Sequence, residues 1–258
     1  MIPTMFLIIM AFVFGACIGS FLNVCIYRIP AGASIVRPGS SCPRCKTEIA
    51  FYDNIPILSW LLLMGKCRTC GTSIAVRYPL VELLTGLFAA ACIFFFGPTW
   101  QTLAAFAFVA TLIVVAFIDL DHRIIPDTIS LPGIPIFFIA AIAVTDLTWR
   151  SSAIGILAGG GSLFAVAWGY QLLTGREGMG GGDIKLLAMI GAFIGWQGIL
   201  FTLFAASAIG TLIGLLAMVR SGKGMKLAIP FGPFLAMGAV LYLFFGDPIV
   251  HWYLGILR

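Results

Sequence analysis

Two aspartates stand at the ends of apolar segments in this chain, where carboxylates are uncommon. Asp119 lies in FIDLDHRIIPD, and Asp183 ends the string GMGGGD. An ionisable side chain within or at the edge of a membrane is energetically costly, so it indicates a function. If the two carboxylates meet, the pair holds one proton, and one group acts as a base towards water while the other acts as an acid towards a carbonyl. These residues predict peptide-bond hydrolysis without a metal or a covalent intermediate.

The residues around the two aspartates have a functional and an ordinary interpretation. Gly180, Gly181 and Gly182 would let a substrate backbone approach Asp183 closely. A helix beginning at about Ile184 would point its partly positive end at the same place. The same string is also an ordinary loop followed by a helix N-cap. Near Asp119, we interpret Asp121 as a solvated interface charge and Asp127 as the cap of the next span.

Four cysteines form a second group with chemical potential. They occur as two C-x-x-C pairs, CPRC and CRTC, separated by residues 46–66, which is close to zinc-ribbon spacing. A closed set of four thiolates suits a structural zinc ion, because it leaves no open position for catalysis. Each pair could instead cycle between thiol and disulfide. A cytoplasmic location disfavours that redox alternative. The predicted zinc ligands are Cys42, Cys45, Cys67 and Cys70.

The composition indicates that membrane-spanning elements position the aspartates and the cysteines. The chain is 61% hydrophobic and only 10% charged, against roughly 25% charged residues in soluble domains. Helices are the expected spanning elements, since lipid offers no partner to an unpaired backbone group. The sequence predicts an all-α polytopic protein with about eight transmembrane helices, at 5–27, 79–96, 100–118, 128–146, 152–174, 184–196, 198–219 and 230–246.

Three regions follow from these spans. Residues 1–27 form the first transmembrane helix, residues 28–78 a small four-cysteine insert, and residues 79–258 a helical bundle carrying the two aspartates. The insert has too little apolar surface to fold alone, which favours a metal or disulfide staple.

The basic residues predict the orientation. Seven of them lie in the insert, so we expect it in the cytoplasm and the N-terminus outside. Alternate threading then brings Asp119, Asp183 and the cluster Arg220, Lys223 and Lys226 to the cytoplasmic side. This topology explains the net charge of +5 without a nucleic-acid partner.

The ordered motifs resemble those of bacterial type IV prepilin peptidases, which are G-x-G-D aspartyl proteases. The resemblance covers nearly the whole chain: GSFLNVCIYRIP from Gly19, the two cysteine pairs, DNIPILSWL from Asp53, RYPLVELLTG from Arg77, the Asp119 motif and the glycines before Asp183. It implies that Asp119 and Asp183 are the catalytic pair. It also implies cleavage of the basic leader of prepilins or type II secretion pseudopilins, after a glycine at the cytoplasmic face of the bacterial inner membrane.

The same resemblance implies a second activity. The new N-terminal residue would be methylated with S-adenosyl-L-methionine as the donor. No nucleotide-binding glycine fingerprint occurs in the insert, so the residues that bind the donor are unknown, and methyl transfer rests on the resemblance alone.

Three alternatives compete with this interpretation. An intramembrane protease of the presenilin or preflagellin type would lack methyl transfer, and the cysteine insert argues against it. A transporter of protons or cations would place its carboxylates near the bilayer midplane, whereas these two adjoin loops. A zinc-stabilised scaffold would have no chemistry, and it would lose nothing when either aspartate is replaced.

Overall fold

A computed structural model describes residues 3–176, 180–221 and 229–256 of the chain. Within these ranges the backbone is helical apart from turns and two isolated β-bridges, Ser41↔Glu48 and Lys66↔Ser73. The all-α prediction is therefore confirmed. The predicted basic residues Lys223 and Lys226 lie outside the described ranges.

Eight α-helices and one short 3-10 turn make up the described chain. In order they are α1 (Thr4–Arg28), the 3-10 turn (Phe51–Asn54), α2 (Leu58–Leu62), α3 (Arg77–Phe96), α4 (Trp100–His122), α5 (Asp127–Val144), α6 (Trp149–Thr174), α7 (Gly181–Ser221) and α8 (Gly232–Ile256). Among the described residues, six of these helices are long and apolar enough to cross a membrane: α1, α3, α4, α5, α6 and α7. In α8 the apolar stretch Gly232–Gly246 is shorter.

The long helix α7 contains two of the expected spans. Its backbone leaves helical geometry at Gly195, with φ 75° and ψ 180°, a conformation that glycine adopts without a steric penalty. A Cβ added to Gly159 of α6 would meet both the Leu187 carbonyl oxygen, at 2.5 Å, and the Ile199 side chain, at 3.1 Å. A straight helix would separate residues 187 and 199 by about 18 Å. The chain therefore bends back at Gly195, and the two expected spans 184–196 and 198–219 are distinct segments.

The helices group into two compact units, Met1–Val114 and Val115–Arg258. In the first unit α1 packs against α3 through small residues. A Cβ added to Gly19 would lie 2.7 Å from the Glu82 Cα atom, so the two backbones are nearly in contact there. In a membrane the hydrophobic effect contributes little to helix association, because the lipid is itself apolar. Close van der Waals packing of this kind therefore holds the helices together.

The insert is fixed to α3 by a buried carboxylate. Glu82 accepts a hydrogen bond from the Ile57 backbone N–H at 2.7 Å. Ile57 has a φ of 62°, which is unusual for a β-branched residue and costs conformational energy. The hydrogen bond that Ile57 donates to Glu82 holds this strained residue at the start of α2.

In the second unit α7 packs against α5, α6 and α8. The closest approach joins Gly155 of α6 to Gly191 of α7, where a Cβ on either residue would collide with the carbonyl oxygen of the other. One helical turn away from this contact, the buried Ser152 hydroxyl donates to the Ala192 carbonyl at 2.6 Å. These contacts fix the first half of α7, which begins with the residues around Asp183.

Candidate active site and metal centre

Asp119 lies one turn before the end of α4 and is almost fully buried, with 5% of its surface exposed. Its Oδ2 atom accepts a hydrogen bond from the backbone N–H of Gly232 at 3.0 Å. Gly232 is the first residue of α8, so the carboxylate meets the partly positive end of that helix. A Cβ at Gly232 would lie 2.6 Å from Oδ2. A side chain at position 232 would therefore crowd the carboxylate that this amide binds.

Asp183 is the third residue of α7, whose first residue is Gly181 rather than the expected Ile184. Its Oδ1 atom is buried, and within the described chain it has no hydrogen-bond partner. The carboxyl lies within the electrostatic range of Asp119. The fold thus brings together the two aspartates that the sequence singles out, and one buried oxygen remains available for a ligand or a water molecule.

Ile125 contacts the first turn of α7, which carries Asp183, and the first residue of α8, which binds Asp119. A Cβ on Gly182 would be 2.9 Å from the Ile125 Cβ, and one on Gly232 would be 3.3 Å from the Ile125 Cδ1. No atom of the described residues lies within 4 Å of a Cβ built on Gly180 or Gly181. Gly182 therefore permits close packing, whereas no described residue packs against the two preceding glycines.

The other acids of the α4–α5 region have different surroundings. Asp127 is the first residue of α5, and Pro126 occupies the N-cap position. The expectation that Asp127 caps this helix is therefore wrong. Its carboxylate instead receives both of its hydrogen bonds from the Lys185 ammonium group, at 2.7 and 2.8 Å. Asp121 is exposed at the end of α4.

Neither Gly232 nor Ile125 stands out in the sequence. Gly232 is 113 positions from the carboxylate that it contacts. Ile125 is one apolar residue among many. The proline after it is the only local signal, since a residue that precedes proline is biased towards an extended conformation.

The four cysteines of the insert come together. The Sγ atoms of Cys42, Cys45, Cys67 and Cys70 all lie within 4.8 Å of one another. None of the four forms a disulfide in this structure, which is the state that both a metal site and the reduced form of a redox pair require. A soft, closed donor set of this size fits a tetrahedral metal ion.

Each cysteine pair is held by the same backbone turn. The Cys42 N–H donates to the Thr47 carbonyl at 3.0 Å, and the Cys67 N–H donates to the Thr72 carbonyl at 2.8 Å. The residue after each second cysteine, Lys46 or Gly71, has a left-handed φ, of 60° and 68° respectively. The two loops are thus structural copies that face the same centre.

The surroundings of Cys70 favour its thiolate form. The contact with the Thr72 hydroxyl, 3.3 Å away, lowers the pKa of Cys70 to about 6. Thiolates rather than thiols bind metal ions. Nearby, the Arg68 guanidinium holds Asp53 in a two-pronged ion pair with a shortest distance of 2.6 Å, which lowers the pKa of that carboxyl. This pair joins the second cysteine loop to the 3-10 turn.

Two family models match the chain. The model of the bacterial peptidase A24 N-terminal domain matches residues 13–96, and the model of the type IV leader peptidase family matches residues 106–215. The first range contains the four cysteines, and the second contains both aspartates. No solved structure matches the chain.

Curated relatives match over most of their length. A prepilin leader peptidase/N-methyltransferase from Aeromonas hydrophila is 38% identical over 95% of this chain and 93% of its own. A protein of the same name from Pseudomonas aeruginosa is 37% identical over 93% of this chain and 91% of its own. Another from Myxococcus xanthus is 44% identical over 82% of this chain and 63% of its own. The chain therefore belongs to the type IV leader peptidase family.

Proposed function

We propose that this multi-pass inner-membrane protein is an aspartyl endopeptidase that removes the basic leader of type IV prepilins or type II secretion pseudopilins. It cleaves after a glycine and then methylates the new N-terminus. The observation that supports the proposal is that buried Asp119 and half-buried Asp183 lie within electrostatic range of each other, in a chain similar to prepilin leader peptidase/N-methyltransferases over nearly its whole length.

Hydrolysis would use the two aspartates as one unit. The unprotonated carboxylate takes a proton from water while the protonated one donates its proton to the carbonyl oxygen of the scissile bond. The water oxygen bonds to the carbonyl carbon, and a tetrahedral diol forms. The diol then collapses, the C–N bond breaks and the leaving nitrogen receives a proton, so the pair returns to its single-proton state. No covalent enzyme intermediate is required.

Methyl transfer would follow on the released amine. S-adenosyl-L-methionine would supply the methyl group. The acceptor amine must first lose its proton, because only the free electron pair can form the new C–N bond. The rival protease without methyl transfer is not favoured, because the relatives that match throughout carry both activities in their names.

The proposed sidedness rests on charge. The insert carries seven basic residues, which favours a cytoplasmic location. The N-terminus would then be outside, and both aspartates would act at the cytoplasmic face. A leader with basic residues would remain there, since its charges cannot enter the hydrocarbon. The division into residues 1–27, 28–78 and 79–258 remains a prediction.

We also propose that the four cysteines hold one structural zinc ion. The donor set supports this, because it contains four sulfur atoms close enough for tetrahedral binding. Such an ion would stabilise the insert and supply no catalytic step. Metal analysis of protein purified without chelators should give one zinc per chain. A metal-free preparation with intact disulfides would favour the redox alternative.

A single assay tests both activities. Purified protein is incubated with a prepilin and with S-adenosyl-L-methionine that carries a labelled methyl group. We expect the leader to be released and the label to appear on the N-terminus of the mature chain. Cleavage without label would leave only the protease, and neither product would contradict the proposed function.

A further inference from the structure

The short helix α2 of the insert turns its apolar side chains outward. Leu58, Leu61 and Leu62 are 58%, 57% and 81% exposed. They are spaced three and four residues apart, so they share one face of the helix. Ser59 is buried instead, and its hydroxyl donates to the Tyr52 carbonyl at 2.9 Å. A surface helix in water buries its apolar face and exposes its polar one, so the pattern of α2 is inverted.

The residues on either side of these leucines show the same inversion. Large apolar side chains are also exposed in the 3-10 turn, in the residues that join it to α2 and just after α2: Phe51, Tyr52, Ile55 and Met64. Trp60 is turned inward, and its indole N–H donates to the Ile74 carbonyl at 3.1 Å. Soluble surfaces rarely expose so many large apolar side chains together, and such a patch indicates an interaction surface.

A hydrogen bond places the start of α2 beside the membrane-spanning helices rather than beyond their ends. Ile57, directly before α2, donates its N–H to the Glu82 carboxylate at 2.7 Å. Glu82 is the sixth residue of α3, about 7.5 Å along the axis from the first. Gly19 of α1 faces Glu82 and lies nine residues, about 13 Å, before the end of its helix. The insert therefore folds back along the ends of both spans.

The 3-10 turn shows the same relation to α1. Asn54 of this turn lines a cleft together with Cys17 of α1. Cys17 is eleven residues before Arg28, the last residue of the helix, which corresponds to about 16 Å. Arg28 itself donates from its guanidinium group to the Gly39 carbonyl at 3.2 Å. The insert is thus tied to the end of α1 and extends down its side.

We propose that the 3-10 turn and α2 form an interfacial segment that lies in the membrane surface, with the leucine face of α2 against the lipid acyl chains. The headgroup layer adds roughly 5–7 Å to each side of the hydrocarbon core, and the contacts with α1 and α3 hold the segment at that depth. An amphipathic segment there buries its apolar side in lipid while its polar side stays hydrated. Lipid accounts for the inverted pattern, because it is the solvent in which exposed leucines cost nothing.

The charge of the insert fits the same partner. Residues 28–78 carry seven basic and two acidic residues, a net charge of +5. Basic segments beside a span are attracted to anionic lipid headgroups. This assignment goes beyond the proposed function and does not depend on it, since it concerns where the insert lies and not what the aspartates do.

The experiment measures the depth of single positions with a fluorescent amino acid. Dansylalanine replaces Leu58, Leu62 or Glu48 through a suppressed stop codon, which leaves every cysteine untouched. Glu48 is the control, because it is an exposed polar residue of the first cysteine loop in the same insert. Each full-length protein is placed in phosphatidylcholine nanodiscs. Circular dichroism and size exclusion establish that each labelled protein is folded.

Two quenchers then report lipid and water separately. Lipids with a nitroxide high on the acyl chain should quench positions 58 and 62 at least threefold more strongly than position 48. Iodide in the buffer should quench position 48 at least threefold more strongly than the other two. Equal iodide quenching at all three positions would mean that the leucine face meets water and would overturn the proposal. Shielding of positions 58 and 62 from both quenchers would overturn it as well, because protein would then cover this face.

Discussion

At the scale of single residues, the two aspartates are held in different ways. Asp119 is fixed by an amide from the start of α8, whereas a buried oxygen of Asp183 has no protein partner among the described residues. A buried carboxylate oxygen without a partner is costly unless a substrate or water supplies one. The site thus has one anchored carboxylate and one with a buried oxygen that can accept a hydrogen bond from a substrate or water.

Replacement of either carboxylate by an amide tests this pair. Asp119→Asn and Asp183→Asn should each reduce leader cleavage roughly a hundredfold to ten-thousandfold, because an amide can act as neither acid nor base. The protein should remain folded, as judged by circular dichroism and size exclusion in detergent. Asp121→Asn is the matched control and should retain most activity. Near-normal cleavage by Asp119→Asn would show that the pair is wrongly chosen.

The sequence predicted these aspartates for a physical reason that does not extend to their neighbours. A carboxylate in an apolar segment costs free energy, so its presence indicates a function. Gly232 and Ile125 carry no such cost, and their importance arises from contacts between distant positions. The ion pair of Asp127 with Lys185 was missed for the same reason, since the two residues are 58 positions apart.

At the scale of elements, the insert contains the same cysteine loop twice, and the two copies differ in the residue at the left-handed position. The left-handed position holds Lys46 in one loop and Gly71 in the other. A side chain with a Cβ is strained at this φ, whereas glycine is not. The first loop therefore stores conformational energy that the second does not.

Exchanging these residue types gives a paired prediction. Lys46→Gly should stabilise the insert by about 0.5 kcal/mol. This gain is small because glycine also increases the entropy of the unfolded chain. Gly71→Ala should destabilise the insert by about 1 kcal/mol. The measurement is the midpoint of chelator-induced zinc release together with thermal unfolding. Equal shifts of the same sign in both variants would contradict the structural equivalence of the loops.

The contact between α6 and α7 gives a second prediction at this scale. Gly155→Ala should destabilise the protein by roughly 1–3 kcal/mol, because the added methyl group meets backbone rather than a movable side chain. The control is Gly161→Ala in the same helix, where no atom of the described residues lies within 4 Å of the new Cβ. Denaturant titration in detergent compares the two. A Gly155→Ala protein as stable as the control would refute this packing.

The elements were largely predictable because their lengths and apolar composition follow from the bilayer. The two spans expected on either side of residue 197 are present, since both are apolar runs. The sequence did not predict that the two spans would be joined by a helix break at one residue, Gly195. The composition shows where apolar segments lie, but the sharpness of the bend depends on contacts with Gly159 of α6.

At the scale of the whole molecule, the chain assigns its two chemically distinct residue groups to different units. The four cysteines lie in Met1–Val114 and both aspartates lie in Val115–Arg258. Methyl transfer needs an unprotonated amine and a donor, neither of which requires a shared-proton pair. The two activities should therefore be separable by mutation.

Supplying a substrate that is already cleaved tests this separation. A folded Asp183→Asn protein should still incorporate labelled methyl groups into a precleaved pilin. Cys42→Ser or Cys67→Ser should reduce methylation at least as much as cleavage, because the insert would lose one of its four proposed zinc ligands. Complete loss of methylation in the aspartate variant would show that the two sites overlap.

The approach of Gly155 to Gly191 also limits how this protein can evolve. In most cores, a larger residue can be accommodated later by a smaller neighbour. Here each glycine faces the carbonyl of the other, and a carbonyl cannot be exchanged by any codon change. A selection for second-site suppressors of Gly155→Ala should therefore find none at position 191. Glycine is already the smallest residue, so position 191 has no substitution that could make room for a methyl group at position 155.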